Sequence, residues 1–208
     1  MEKLWKFLNS QFGLIILGFI CTGFVGHLLT VSFQNSAWER DRRYEVFKQE
    51  IEEAKKVLED VNLHISSRTY QLQKVHWKLE SGDITGANVE YEEYTKIKDS
   101  WNKKIRIYRN KLKRLVSNDL AFKLLDSDNA VNVPKKESVH AYFAFAHYAT
   151  RKWMKCLNNS CPDAQKDQQK AYNALHDLFR VTDTYIDESY SIFLQKYKIL
   201  NDSSETSR

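Results

Sequence analysis

The feature that most constrains this chain is a run without a single Asp, Glu, Lys or Arg, residues 12–33. As a helix, about 22 residues at 1.5 Å each reach about 33 Å, enough for a bilayer core of about 30 Å. The run is therefore read as one transmembrane helix preceded by an N-terminal flank, residues 1–11. Trp5 and Trp38 stand just beyond its two ends, where interfacial aromatics belong, and Lys3 and Lys6 face Arg40, Arg42 and Arg43 across it. It is longer than the apolar core of a signal peptide, and Asn35-Ser36-Ala37 is a poor cleavage match, so the segment is expected to remain attached. More Lys and Arg follow the span than precede it. That places the soluble region in the cytoplasm, as in a single-pass protein of a bacterial inner membrane. The opposite topology would put Cys156 and Cys161 in an oxidising space.

The span is itself patterned. Gly18, Thr22, Gly26 and Thr30 recur every four residues and form a small-residue stripe, the kind of surface on which membrane helices associate. The lipid bilayer and other copies of the chain are thus its first expected partners. Gly23 and His27 flank the same stripe. An ionisable residue in a span is a functional candidate facing a partner helix or water, although His27 also lies near enough to one end to reach the interface.

Beyond the span, helix breakers are scarce. Two prolines and six glycines are present in all 208 residues, and Gly13, Gly18, Gly23 and Gly26 fall in or beside the span. That favours an all-α fold of long helices over a sheet. Phe47, Ile51, Ala54, Leu58, Val61, Ile65, Arg68, Leu72, Val75 and Leu79 alternate steps of four and three, a coiled-coil-like seam. After the turn Ser81-Gly82-Asp83 the same alternation resumes from Ile84 through Tyr94, Lys98, Trp101 and Tyr108 to Asp119 and Phe122. Residues 34–126 are expected to form one antiparallel hairpin, 127–136 a linker, 137–200 a second hairpin and 201–208 a disordered tail. The simplest arrangement is an antiparallel bundle.

Folding the first hairpin about Asp83 pairs positions whose numbers sum to about 166, which sets Leu58 against Tyr108, Ile65 against Trp101 and Arg68 against Lys98. Two cations in a half-buried layer are costly unless an anion joins them. Either a carboxylate of the last helix, Asp183, Asp187 or Glu188, supplies it, or a phosphate-bearing ligand does. A second cationic feature is the run of Lys103, Lys104, Arg106, Arg109, Lys111, Lys113 and Arg114, without an acid and interleaved with Ile105, Ile107, Tyr108 and Leu112. It reads as a solvated face or as a phosphate-binding face. Single-stranded nucleic acid fits the second reading, with Tyr108 among the rings available for stacking, and the membrane surface is the competitor. The net charge of +5 favours acidic partners in the same sense.

No catalytic motif stands out. Cys156 and Cys161 bracket a polar turn and are expected as free thiols, with too few further ligands for a zinc site. His140, His147 and the pair His176-Asp177, with Asp183 or Asp187, superficially suggest a metal phosphohydrolase. Such short matches arise often, and core or interface histidines explain them better. No enzyme, cofactor or metal is expected.

A charge-free span from residue 12 to 33 followed by basic helices resembles, in layout, the small membrane effectors of bacterial anti-phage systems, the Hailong effector family among them. The resemblance implies a homo-oligomeric channel controlled by an oligonucleotide, working beside a regulatory protein. It carries over no residue. A membrane-anchored helical scaffold that recruits a protein partner is the alternative.

Overall fold

A computed structural model describes the backbone of residues 11–126, 138–159 and 161–205, with side chains from residue 23 onward except at 24, 25, 28, 35 and 199–205. Its helices are α1 (Gln11–Glu80), α2 (Ile84–Leu115), α3 (Asn118–Leu124), α4 (Val139–Asn158) and α5 (Ala164–Glu205). The described residues contain no strand, so the all-α expectation holds. The chain divides into two units, Met1–Gln49 and Glu50–Arg208.

In the first unit the described backbone is helical. Among the described residues no helix is long and apolar enough to cross a membrane. The structure therefore carries the expected span as a helix and gives its membrane placement no support; much of residues 12–33 has no described side chain. Of the small-residue stripe, Gly18 and Thr22 lie outside the described side chains. Among the described residues, nothing beyond the helix's own backbone and adjacent residues lies within 4 Å of the point a Cβ would occupy at Gly23 or Gly26. His27 and Thr30 are exposed, and the Thr30 hydroxyl donates to the Gly26 carbonyl at 2.8 Å, a local bond that spends its proton inside the helix.

The second unit is a four-helix bundle of α1 from Glu50 onward, α2, α4 and α5. Contacts between helices give its topology. Arg114 on Glu53 and Gln71 on Glu90 run antiparallel, as do Trp101 on His140 and Tyr94 on His147. Asn62 bonds Ser189 while His76 meets Tyr172, so α1 and α5 are antiparallel too. Arg68 lies over Phe143 and His76 bonds Thr150, so α1 and α4 run in the same direction across the core. This is an up-down-up-down arrangement.

The α1–α2 turn has identifiable chemistry. Gly82 takes φ +74°, a left-handed conformation that suits glycine. The Asp83 N–H donates to Lys78 O at 2.9 Å and the Gly82 N–H to Leu79 O at 3.2 Å, closing α1. Asp83 then caps α2 by accepting from the Gly86 N–H at 2.8 Å, and Lys78 pairs with the same carboxylate at 2.8 Å.

Three expectations need correction. The second helix does not run to Phe122. It stops at Leu115, because Ser117 turns to extended backbone and caps α3 by accepting from the Asp119 N–H at 3.1 Å. Asp119 and Phe122 consequently leave the seam and are exposed. The tail expected to be disordered from residue 201 is helical through Glu205, for α5 meets no Gly or Pro after Ala164; residues 206–208 lie outside the described residues, as does the linker 127–136. Finally, Cys156 and Cys161 are not free thiols but a disulfide. The chain reversal after α4 brings their Cα atoms to 5.0 Å, and the Cys161 N–H donates to Cys156 O at 3.0 Å.

Candidate anion site

Arg68 follows Ile65 by three and precedes Leu72 by four, so it points where those core residues point. It is 2% exposed. Its Nη2 donates to the Tyr94 hydroxyl at 3.2 Å. Its guanidinium carbon stands 4.2 Å from the centre of the Phe143 ring, 5.7 Å from Tyr94 and 5.9 Å from Trp101. Nε and Nη1 are buried and make no hydrogen bond within the described residues. Burial holds the guanidinium below its ordinary pKa, and Tyr94 pulls in the opposite direction.

Magnitudes decide how well this cation is served. Taking it out of water costs several kcal/mol. One hydrogen bond to a charged donor returns about 1.5–3 kcal/mol, and a desolvated ring contact about 2 kcal/mol at best. Two donor nitrogens stay unsatisfied, and among the described residues no carboxylate answers the charge. The acids expected from the last helix do not reach it: Glu188 pairs with Lys123 at 2.8 Å, and Asp183 and Asp187 are exposed.

The hairpin register survives with a change of occupant. Arg68 meets Tyr94 and Trp101, which flank Lys98 on the same face of α2, while Lys98 itself turns outward to Asp99 at 3.6 Å. A long ammonium side chain escapes like-charge burial in this way. Its charge still reaches the interior, where it acts on His147.

Two histidines of α4 complete the cluster. His140 Nδ1 accepts from the Trp101 indole N–H at 3.2 Å, which leaves Nε2 to carry the imidazole proton. The His147 ring stacks on Tyr91 at 5.7 Å and on Tyr94 at 5.5 Å. Burial, with the charge of Arg68, lowers His140 to about 4. Burial, with the charges of Lys98, Arg68 and Arg151, lowers His147 to about 4. At neutral pH both are uncharged. The assembly is thus rich in donors, walled by aromatic rings and, among the described residues, without an acid, an environment suited to a phosphoryl or similar anion.

No protein family, curated protein or solved structure matches this chain.

The basic run of α2 divides. Lys103, Lys104, Arg106 and Lys113 are exposed, with no ion pair among the described residues. Arg114, also exposed, forms a forked pair with Glu53 at 2.8 Å to both oxygens, and Lys111 meets the same carboxylate at 3.6 Å. Arg109 is half-buried over the Phe122 ring at 5.2 Å, its Nε without a partner. Tyr108, expected as a stacking ring, is only 7% exposed; its hydroxyl lies 3.0 Å from His64 Nδ1. It cannot offer a face to a base without leaving the core. The acid-free stretch therefore has a counter-ion from the facing helix, which reading α2 by itself could not reveal.

His76 was not singled out by the seam. It is 1% exposed, and its Nε2 lies 2.8 Å from the Thr150 hydroxyl. That hydroxyl donates to Ala146 O, so the imidazole is the donor, its Nδ1 is the bare nitrogen, and burial lowers its pKa to about 4. Such a histidine stabilises the fold when neutral. Its contribution is complete above the unfolded value of 6.5 and is lost as pH falls toward about 4. Acidification across that window is expected to cost ~2–3 kcal/mol through His76, with His140 and His147 acting in the same direction. Chemical denaturation at pH 7 and pH 4.5 measures it. His76→Leu should flatten the profile, and an equally steep profile in that variant would refute the assignment.

Cys156, Cys161 and Asp167 could also group around a cation, with ligand atoms within 4.8 Å of one another. The sulfurs are joined to each other and Asp167 holds Lys152 at 2.8 Å. His176, Asp183 and Asp187 are exposed on α5, away from the inward-turned His140 and His147.

Proposed function

We propose that the chain is a homo-oligomeric membrane effector, a channel or pore former, whose helical bundle senses an anionic ligand of the oligonucleotide class, in a role such as anti-phage defence. The observation that carries the sensing part is Arg68: a buried guanidinium with two unpartnered nitrogens and, among the described residues, no acid paired with it. A ligand that satisfies it binds one packing of the four helices better than another, and that difference is what shifts a conformational equilibrium. The exposed cations Lys103, Lys104, Arg106 and Lys113 give a longer polyanion a second foothold. The membrane part is supported by the charge-free residues 12–33 and by their small-residue stripe. Flanking charges favour a cytoplasmic bundle, whereas the Cys156–Cys161 disulfide favours an oxidising space.

One observation favours the scaffold reading. Leu63, Tyr70 and Trp77 lie seven residues apart on α1 and are each about half exposed or more, at 66%, 54% and 49%. This apolar stripe is of the kind used to hold a helix of a partner, including a neighbouring regulatory protein.

The test is binding of a short single-stranded oligonucleotide to the detergent-solubilised full chain across a salt series. Lys103→Ala with Arg106→Ala should weaken binding about tenfold and flatten the dependence of log K on log salt by about 1–1.5. An oligonucleotide that fails to bind at low salt, or binds the double variant equally well, removes the nucleic-acid element and leaves the scaffold.

A further inference from the structure

The groups acting on His147 come from three helices, and none is negative. Arg68 acts from α1, Lys98 from α2 and Arg151 from its own helix α4; Tyr91 and Tyr94 of α2 lie against its ring, and His140 of α4 shares the field of Arg68. Asp99 answers Lys98 from an exposed position. An imidazole so placed stays neutral because burial disfavours its charged form and the three cations repel a proton as well. A dianion beside Arg68 offsets that field and favours the protonated ring.

We propose that the anion recognised beside Arg68 is a dianion, such as a terminal phosphate monoester, and that it binds together with one proton taken up by His147. This rests on the anion reading of the site. The proton comes from solvent and goes to the unprotonated nitrogen of the His147 ring, whose Nδ1 lies 3.5 Å from the Tyr91 hydroxyl, a group that can accept as well as donate; no covalent bond to the ligand forms or breaks. His147 is the acceptor rather than His140 because His140 Nδ1 already accepts from Trp101 Nε1, and protonating it would leave a buried indole N–H without a partner. Protonated His147 becomes a cation of the site alongside Arg68 and Lys98, so two negative charges are balanced without any acid from the protein. A phosphodiester, with one charge per phosphate, offsets the field less and is bound with less proton uptake.

Sulfate is the direct probe, since it stays dianionic across the pH range and any proton must go to the protein. Calorimetry of sulfate with the detergent-solubilised full chain, in buffers of different ionisation enthalpy, should give uptake close to one proton per sulfate at pH 6. Affinity should rise about tenfold from pH 8 to pH 6. In His147→Gln the uptake should fall to near zero and the affinity should become flat with pH, whereas His176→Gln, altered at an exposed site on α5, should match the parent. Sulfate binding by the parent without proton uptake overturns the proposal and leaves the anion site standing. No sulfate binding, or sulfate binding undiminished in Arg68→Met, overturns the anion site as well.

Discussion

Replacing Arg68 by methionine is expected to stabilise the ligand-free protein by about 1–3 kcal/mol while abolishing its response to anions. The two effects have one cause. The guanidinium sits in the core at 2% exposure with Nε and Nη1 unsatisfied, and methionine fills similar volume among Tyr94, Trp101 and Phe143 with no charge to desolvate. Against this stands the lost partner of the Tyr94 hydroxyl, worth about 1 kcal/mol, which sets the lower end of the range. In parallel denaturant titrations the parent should gain about 2.7 kcal/mol in sulfate at a hundred times its Kd, and the variant nothing. A variant less stable than the parent by 2 kcal/mol or more would mean that Arg68 is a structural residue whose ring contacts outweigh its desolvation. The anion site would then lose its physical basis.

Trp101→Ala is expected to cost about 3–5 kcal/mol, the largest loss predicted for a single side chain here. Trp101 is fully buried, packs on Phe143 at 5.7 Å, contributes a wall to the Arg68 site and donates to His140 Nδ1. Its removal opens a cavity and leaves a buried acceptor bare. Trp77→Ala is the control, because that ring is 49% exposed and touches mainly Tyr70, so its loss should stay within about 1 kcal/mol. Urea midpoints with an unchanged slope would measure both. Equal costs for the two tryptophans would contradict the packing described for the bundle.

Much of the hairpin could be read from spacing because helical periodicity is a local property. Of the seam assigned by steps of four and three, Ala54, Leu58, Val61, Ile65, Arg68, Leu72, Val75 and Leu79 are buried, while Phe47 and Ile51 at its start are half-buried. The register that set Ile65 against Trp101 also placed Arg68 at the right height. What spacing could not say is which side chain at that height turns inward. Lys98 and Tyr94 both fit the alternation, yet tyrosine stays with the guanidinium and lysine reaches solvent, an outcome decided by desolvation and like charge rather than by period. His140, Phe143 and His147 stand at steps of three and four on one face of α4, a signal that tied them together but not to Arg68, seventy-odd residues away. The break at Ser117 was missed because the apolar spacing continues through it, while the cap that ends the helix is a backbone event.

The amino-acid sequence by itself determined the helical class, the near absence of breakers, the turn at Gly82, the heights of the core residues and the charge-free run of residues 12–33. Each depends on the chain's own periodicity and composition. Only the tertiary structure decided that Glu53 neutralises part of the basic run, that Tyr108 is spent in the core, and that the acids of α5 do not reach Arg68. Those outcomes depend on which charges and rings from distant segments come within a few ångströms of one another. Electrostatic and hydrogen-bond energies fall off over that distance, and sequence separation does not measure it.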